Sequence, residues 1–232
     1  MSAIEGSNVN LSADEEGKTN LTMQDLLQFA RPTATASEYI FAVFGLKPER
    51  LTGQKVLDVG AGGSDATATL AQFGVDAYAL DPRYVDLKAL EQEIFELQGI
   101  DHEAENLALG RFLESVNQDP SRYIAGSATN IPFKDNTFDL VISKAAIMFH
   151  LDFDSGVLNE AIEECLRVTK PGGSIRLHPL MHREEEVPEF VNELRLNNEA
   201  RKIMALQVDT RIAQVGKLAF ADGTESLFIQ KA

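Results

Sequence analysis

Lys55-Val-Leu-Asp58-Val-Gly60-Ala61-Gly62 is an apolar run that ends on two glycines. A short apolar run bounded by turn residues reads as a buried parallel strand. Ser64 to Phe73 follows at helical spacing and is closed by Gly74, a residue suited to the left-handed turn after a helix. Strand, glycine turn and helix open a βαβ unit, and the flanking sequence repeats the pattern.

Ala77 to Leu80 reads as a second strand ending at Asp81. Val85 to Leu97 and His102 to Val116 read as helices, Tyr123 to Ala125 as the third strand, and Phe138 to Ser143 as the fourth. Val157, Leu158, Ala161, Ile162, Cys165 and Leu166 fall on one helical face. Lys170-Pro-Gly-Gly173 reads as a turn and Ser174 to His178 as the fifth strand. Upstream, Thr22 to Leu46 reads as two helical segments parted by Arg31-Pro32, with Ser37 as cap of the second. Downstream, Glu184 to about Ile203 reads as a helix. Strand-like segments follow near Leu206 to Ala213 and Glu225 to Gln230, and Asp222-Gly223 marks a turn before the last.

The expected fold is α/β: a three-layer αβα sandwich with a seven-stranded, mostly parallel sheet and an antiparallel last strand. Residues 1–20, polar and acidic, read as a flexible tail, and 21–232 as one domain. Within it, 21–50 form a helical cap, 53–180 the core, and 181–232 a helix and hairpin. The cap and the helix near 102–116 are expected to form a lid.

The formal charge of −15 disfavours a nucleic-acid partner, whose phosphates need a basic face. No apolar run is long enough to span a bilayer, and no secretion signal is read at the N-terminus, so no membrane partner and a cytoplasmic setting are expected. The single Cys165 excludes an internal disulfide and a cysteine-built zinc site.

A strand leading into Gly-x-Gly and a helix signals a ligand near the backbone, beyond the carboxyl ends of the strands. Asp81, at the end of the second strand, can accept hydrogen bonds from ribose hydroxyls. Nicotinamide dehydrogenases share both features. Three details point elsewhere. The dinucleotide fingerprint wants Gly or Ala where Asp65 stands. A carboxylate in the first helical turn would repel a pyrophosphate. Asp58, two residues before Gly60, can face an ammonium group, which S-adenosylmethionine has.

With Ala-Leu-Asp81-Pro, Gly126-Ser-Ala-Thr-Asn-Ile-Pro-Phe133, Phe138-Asp-Leu-Val-Ile-Ser143 and Leu166-Arg-Val-Thr-Lys-Pro-Gly-Gly173 in order, residues 53 to 180 resemble the class I S-adenosylmethionine-dependent methyltransferases, especially those acting on small molecules. The resemblance implies a Rossmann-like fold, S-adenosylmethionine as cofactor, and direct methyl transfer to a small-molecule acceptor. It implies Asp58 near the methionine amino group, and Gly60, Ala61 and Gly62 around the methionine and ribose. Asp81 would take the ribose hydroxyls, Pro82 would pack on the adenine, and Ser127-Ala128 would meet its edge. Ser143 and Lys144 would line the methionine end and the acceptor cavity. Ser64 replaces the family's third glycine and Ser127 its usual Asp. These departures keep open a second class, a cofactor-binding protein without transferase activity, beside the NAD-dependent oxidoreductase.

His150 is the candidate general base, with loop packing as its alternative role. His178 and His182 could join it on a metal, but no close histidine spacing supports one, and none is expected. Glu184-Glu-Glu186 reads as a solvated helix start, Cys165 as core, and Tyr39 as either packing or cover for the cofactor.

Overall fold

A computed structural model describes residues 35–98, 103–147, 156–178, 211–219 and 225–232. Helix α1 spans Ser37–Val43, and β1 Lys55–Val59 leads to α2, Ala66–Gln72. β2 is Asp76–Asp81, followed by α3 Leu87–Gln98 and α4 Glu103–Gln118. Then come β3 Tyr123–Ala125, β4 Phe138–Lys144, α5 Val157–Val168 and β5 Thr169–His178. The chain closes with β6 Ile212–Ala219 and β7 Glu225–Lys231.

The seven strands lie in the order β3-β2-β1-β4-β5-β7-β6. β1 to β5 pair in parallel, and β7 runs antiparallel to both β5 and β6. This is the expected doubly wound sheet with its last strand reversed. Strand alternation sorts the side chains. Leu57, Val59, Val141, Ile175 and Leu177 pack with α5 residues Leu158, Ala161, Cys165 and Leu166 on one face. Val56, Leu140 and Ile142 pack with α1 and α2 on the other. Beside β2 and β3, Tyr84 and Tyr123 meet Leu90 and Ile94 of α3 and Leu109, Phe112 and Val116 of α4. Cys165 is core as expected, and burial pushes its thiol up to about 12.

Three sequence expectations shift. Lys170-Pro-Gly-Gly173 does not separate α5 from the fifth strand but lies inside β5. Thr169 pairs with Phe138 and Ser174 with Leu140, so these four residues bulge opposite Asp139. Gly172 supplies the positive φ of +75° that the bulge requires. β6 lies later than Leu206 to Ala213. It runs on to Ala219, which pairs with Glu225 of β7. Ser37 is the first residue of α1 rather than its cap. The first N-terminal helix, the helix after Glu184, His150 and His182 lie outside the described residues.

Candidate cofactor and acceptor site

The glycine turn is tied to the end of β2. The Leu80 carbonyl accepts from Gly60 N–H at 2.7 Å and from Ala61 N–H at 3.3 Å. Asp81 accepts from Gly62 N–H at 3.0 Å through Oδ2 and from Arg83 N–H at 2.9 Å through Oδ1. Ser64 N–H donates to Ala61 O, and Ser64 Oγ accepts from Ala66 N–H at 3.1 Å. The serine in place of a third glycine therefore satisfies the first amide of α2, one residue before the N-cap Asp65. These amides are already occupied, so a pyrophosphate would find few donors at this helix start. Asp65 contributes differently from its sequence reading. Its carboxylate is 0% exposed and pairs with Arg111 Nε, while Oδ1 accepts from Ser37 N–H at 2.7 Å. It anchors α1 and α4 rather than repelling an anion, so the case against a dinucleotide rests on the occupied amides.

Two glycines are crowded here, and the first has no substitute. Gly60 has a φ of +73°, and a Cβ on it would lie 2.2 Å from Ala146 Cβ. A Cβ on Gly126 would meet Leu80 Cδ1 at 2.7 Å. The turn after β4 is itself strained: Ala145 has a φ of +53°, worth about 1–2 kcal/mol, and its N–H donates to His178 O at 2.6 Å. Ser143 Oγ accepts from Ile147 N–H at 3.3 Å, closing the same turn. The backbone after β4 is thereby pressed against the glycine turn.

Asp58 sits below this junction, 3% exposed, and its Oδ2 has no hydrogen-bond partner among the described residues. Burial pushes its carboxyl up to about 7; the Asp81 charge adds to the rise and the Lys144 ammonium opposes it. Burial also raises Asp81, against the hydrogen bonds from Arg83 and Gly62. Burial lowers Lys144, and Asp58 partly restores it. A buried, unpartnered carboxylate oxygen is costly unless a cation completes it. The ammonium of S-adenosylmethionine is such a cation, so the residues present fit that cofactor.

Sequence reasoning missed Tyr84. Its hydroxyl donates to Gly62 O at 2.8 Å, and its ring stacks on Phe112. Burial, then Asp81 and Asp58, hold the phenol well above its ordinary range, so it remains a donor. A tyrosine three residues after Asp81 looks like any core aromatic in sequence; only the contact reveals it.

The other expected positions are placed as follows. Gly126 N–H reaches Asp81 O at 3.4 Å, bringing Ser127 and Ala128 to the edge of the site. Ser127 is exposed, but its Oγ accepts from Thr129 N–H at 3.2 Å and pairs with Thr129 Oγ1 at 2.9 Å. Its hydroxyl is engaged within its own turn. Pro82 is exposed at the start of a short 3₁₀ turn. Lys144 Nζ bonds Thr35 Oγ1 at 3.2 Å and lies 5.7 Å from the Tyr39 ring centre. Tyr39 in turn meets the His178 ring edge-on, with centroids 6.4 Å apart. Among the described residues, no group of three or more His, Cys, Asp or Glu could hold a metal ion, and no helix is long and apolar enough to cross a membrane.

A family model described as "Methyltransferase domain" matches residues 57–177, the stretch that builds this site. The chain belongs to the methyltransferase-domain family. The expectation of a class I S-adenosylmethionine-dependent methyltransferase domain is met at the level of family and fold. A demethylmenaquinone methyltransferase of Paenarthrobacter aurescens is 34% identical over 133 residues, covering 56% of this chain and 40% of that protein. The match spans less than half the length of the first curated relatives. Two solved structures share the fold. One is a candidate S-adenosyl-L-methionine-dependent methyltransferase of Methanococcus maripaludis, with TM-score 0.50, 19% identity, and coverage of 84% of this chain and 83% of that one. The other is a candidate sarcosine dimethylglycine methyltransferase of Galdieria sulphuraria, with TM-score 0.51, 16% identity, and coverage of 84% and 85%.

Proposed function

We propose that this methyltransferase domain binds S-adenosylmethionine at the glycine turn and transfers its methyl group directly to a small hydroxylated aromatic acceptor. The observation that carries the cofactor is the orphaned Oδ2 of buried Asp58 beside a glycine turn whose amides are already bound. That site asks for a cation and offers few donors to a phosphate. The acceptor class rests on the relatives named demethylmenaquinone methyltransferases.

In this proposal Asp58 holds the amino group, Asp81 takes the ribose hydroxyls through its remaining lone pairs, and Gly60 and Gly62 give the ligand close approach to backbone. Pro82, Ser127 and Ala128 border the adenine. Ser143 keeps the turn after β4 closed, and Lys144 faces the acceptor. When bound, the cofactor supplies a methyl group on a cationic sulfur. The protein's part is alignment and exclusion of water, which contribute much of the rate when the donor is already activated.

Calorimetry with S-adenosylmethionine, S-adenosylhomocysteine and NADH is the first test. Binding of the first two and not the third is expected; binding of NADH alone would overturn the cofactor assignment. Transfer of a radiolabelled methyl to a reduced, short-chain demethylmenaquinone tests the acceptor. Tight cofactor binding with no transfer to any hydroxylated aromatic would favour a binding protein instead.

A further inference from the structure

Residues 126–137 join β3 to β4 and carry Ser127 and Ala128, which the reading above sets against the adenine. The first half of this loop is a closed turn. Ser127 and Asn130 form an antiparallel bridge, and Asn130 N–H donates to Ser127 O at 3.1 Å. At one end of the turn Gly126 N–H reaches Asp81 O at 3.4 Å. Ser127 Oγ is engaged with Thr129, so the turn meets a ligand largely through its backbone. Backbone groups cannot swing towards a ligand as a long side chain does. They stand where the two ends of the turn put them.

The far end is held by α5. Ile131, 1% exposed, is gripped at both backbone groups: its N–H donates to Glu164 Oε2 at 2.7 Å, and its carbonyl accepts from Arg167 Nη2 at 2.8 Å. Arg167 Nη1 donates to Phe133 O at 2.7 Å and to Asp135 Oδ1 at 2.9 Å. Its Nε meets Glu164 Oε1 at 2.7 Å, and its Nη2 meets Glu164 Oε2 at 2.8 Å. A guanidinium carries five N–H donors in a planar fork, and all five find an acceptor here. The hydrogen bond from Arg167 holds the Glu164 carboxyl below its ordinary range.

The two side chains are partly exposed, at 31% and 19%, so as an ion pair alone they contribute little. What they add is three bonds to the loop backbone, at Ile131 N–H, Ile131 O and Phe133 O. Pro132, between the gripped residues, carries this hold to the site. Its ring stands against Gly126, where a Cβ would lie 3.3 Å from Pro132 Cδ. The helix that bears the grip is itself fixed, because Leu158, Ala161, Cys165 and Leu166 are buried in the core. In sequence Glu164 and Arg167 are an ordinary i, i+3 pair. Their reach of 33 and 36 residues back to Ile131 exists only in the fold.

We propose that Arg167 and Glu164 are positioning residues for the cofactor's adenine: they fix the loop after β3 from the side of α5 and so set the discrimination of adenine from other bases. The inference rests on the placement of Ser127 and Ala128 at the adenine edge. Both residues act through Ile131, Pro132 and Phe133, not by touching the cofactor.

The test is calorimetry with S-adenosylhomocysteine and its deaminated analogue S-inosylhomocysteine. Deamination turns the 6-position from a donor into an acceptor and N1 from an acceptor into a donor, and leaves the ribose and amino acid unchanged. Wild type is expected to prefer the adenine ligand. Arg167→Lys keeps the charge and loses the fork. Glu164→Gln keeps the size and one oxygen and loses the charge that the fork grips. For S-adenosylhomocysteine, Arg167→Lys is expected to lose roughly tenfold in affinity and Glu164→Gln somewhat less; for S-inosylhomocysteine, roughly twofold at most. The preference therefore narrows in both variants. Hydrogen exchange on the cofactor-free protein is a second readout: amides between Ser127 and Phe133 should exchange faster in both.

Lys231 provides the control. It holds the same end of α5 through Leu166 O at 2.9 Å and Thr169 O at 2.7 Å. Lys231→Met is expected to lower stability in urea and to keep the wild-type preference.

An unchanged preference in folded Arg167→Lys and Glu164→Gln would overturn the proposal and leave the cofactor reading in place. So would an equal loss for both ligands, or a narrowed preference in Lys231→Met, since either would mean general loosening. Glu164→Gln carries the decision should Arg167→Lys not fold. Equal binding of the two ligands by wild type would refute the adenine contact of the loop and the proposal with it. Binding of neither ligand by wild type would bring down the cofactor reading itself.

Discussion

Cofactor affinity is expected to depend on pH through Asp58, in a direction and range set by its burial. Its carboxyl titrates at about 7 in the cofactor-free protein, and the ammonium beside it requires the ionised form. A group with that pKa is about 3% ionised at pH 5.5 and about 50% at pH 7.0. The dissociation constant for S-adenosylmethionine should therefore fall by roughly an order of magnitude across this interval. The interval stops at pH 7.0 because the ligand's own amino group begins to deprotonate in the range of about 7.7–8.0. Calorimetry in buffers of different ionisation enthalpy gives both affinity and protons released, and about half a proton should leave per cofactor bound at pH 7.0. Asp81, also raised by burial, adds a dependence that persists in Asp58→Asn. The difference between wild type and Asp58→Asn is what belongs to Asp58. Parallel affinity profiles for the two proteins would refute the assignment of Asp58 to the amino group.

Further outcomes follow from the same contacts. The Asp58 carboxyl is raised from 3.8 to about 7 on folding, so its contribution to stability is fully present below pH 3.8 and lost as pH rises to about 7. Asp58→Asn is expected to exceed wild type in stability at pH 8, by on the order of 4 kcal/mol, and to match it at pH 4, as read by urea unfolding. Gly60→Ala combines a left-handed backbone with a Cβ clash against Ala146; a loss of about 2–5 kcal/mol and of cofactor binding is expected from unfolding curves and calorimetry. Tyr84→Phe removes the hydroxyl that holds Gly62 O, and should cost about 1 kcal/mol of stability with a weaker cofactor affinity. Asp81→Ala frees the amides of Gly62 and Arg83 as well as the ribose contact; about 1–3 kcal/mol of cofactor affinity should be lost, together with a lower melting temperature.

Much of the fold was legible because its signals are local. Apolar runs closed by glycine, helical spacing and an acidic strand end identified five strands and the cofactor turn in chain order. Elements went astray where pairing, not propensity, decided. The Lys170-Pro-Gly-Gly173 bulge reads as a turn in sequence, because only the register against Phe138 and Leu140 shows that β5 continues through it. β6 was set too early, since its limits come from β7 across the hairpin. Asp65 had the right charge and the wrong role: its partners, Ser37 and Arg111, lie 28 and 46 residues away.

The sequence by itself determined the strand-turn-helix unit, the acidic residues at the ends of β1 and β2, and hence the kind of cofactor to expect. These follow from backbone conformation and alternation, which short stretches encode. Only the tertiary structure decided that Asp58 is buried with an oxygen that has no partner among the described residues, that the glycine-turn amides are taken by β2, and that Ser226 meets His178. Each depends on burial or on a hydrogen bond between residues far apart in the chain, and the energy of a charge or a tautomer is set by those neighbours rather than by the residue itself.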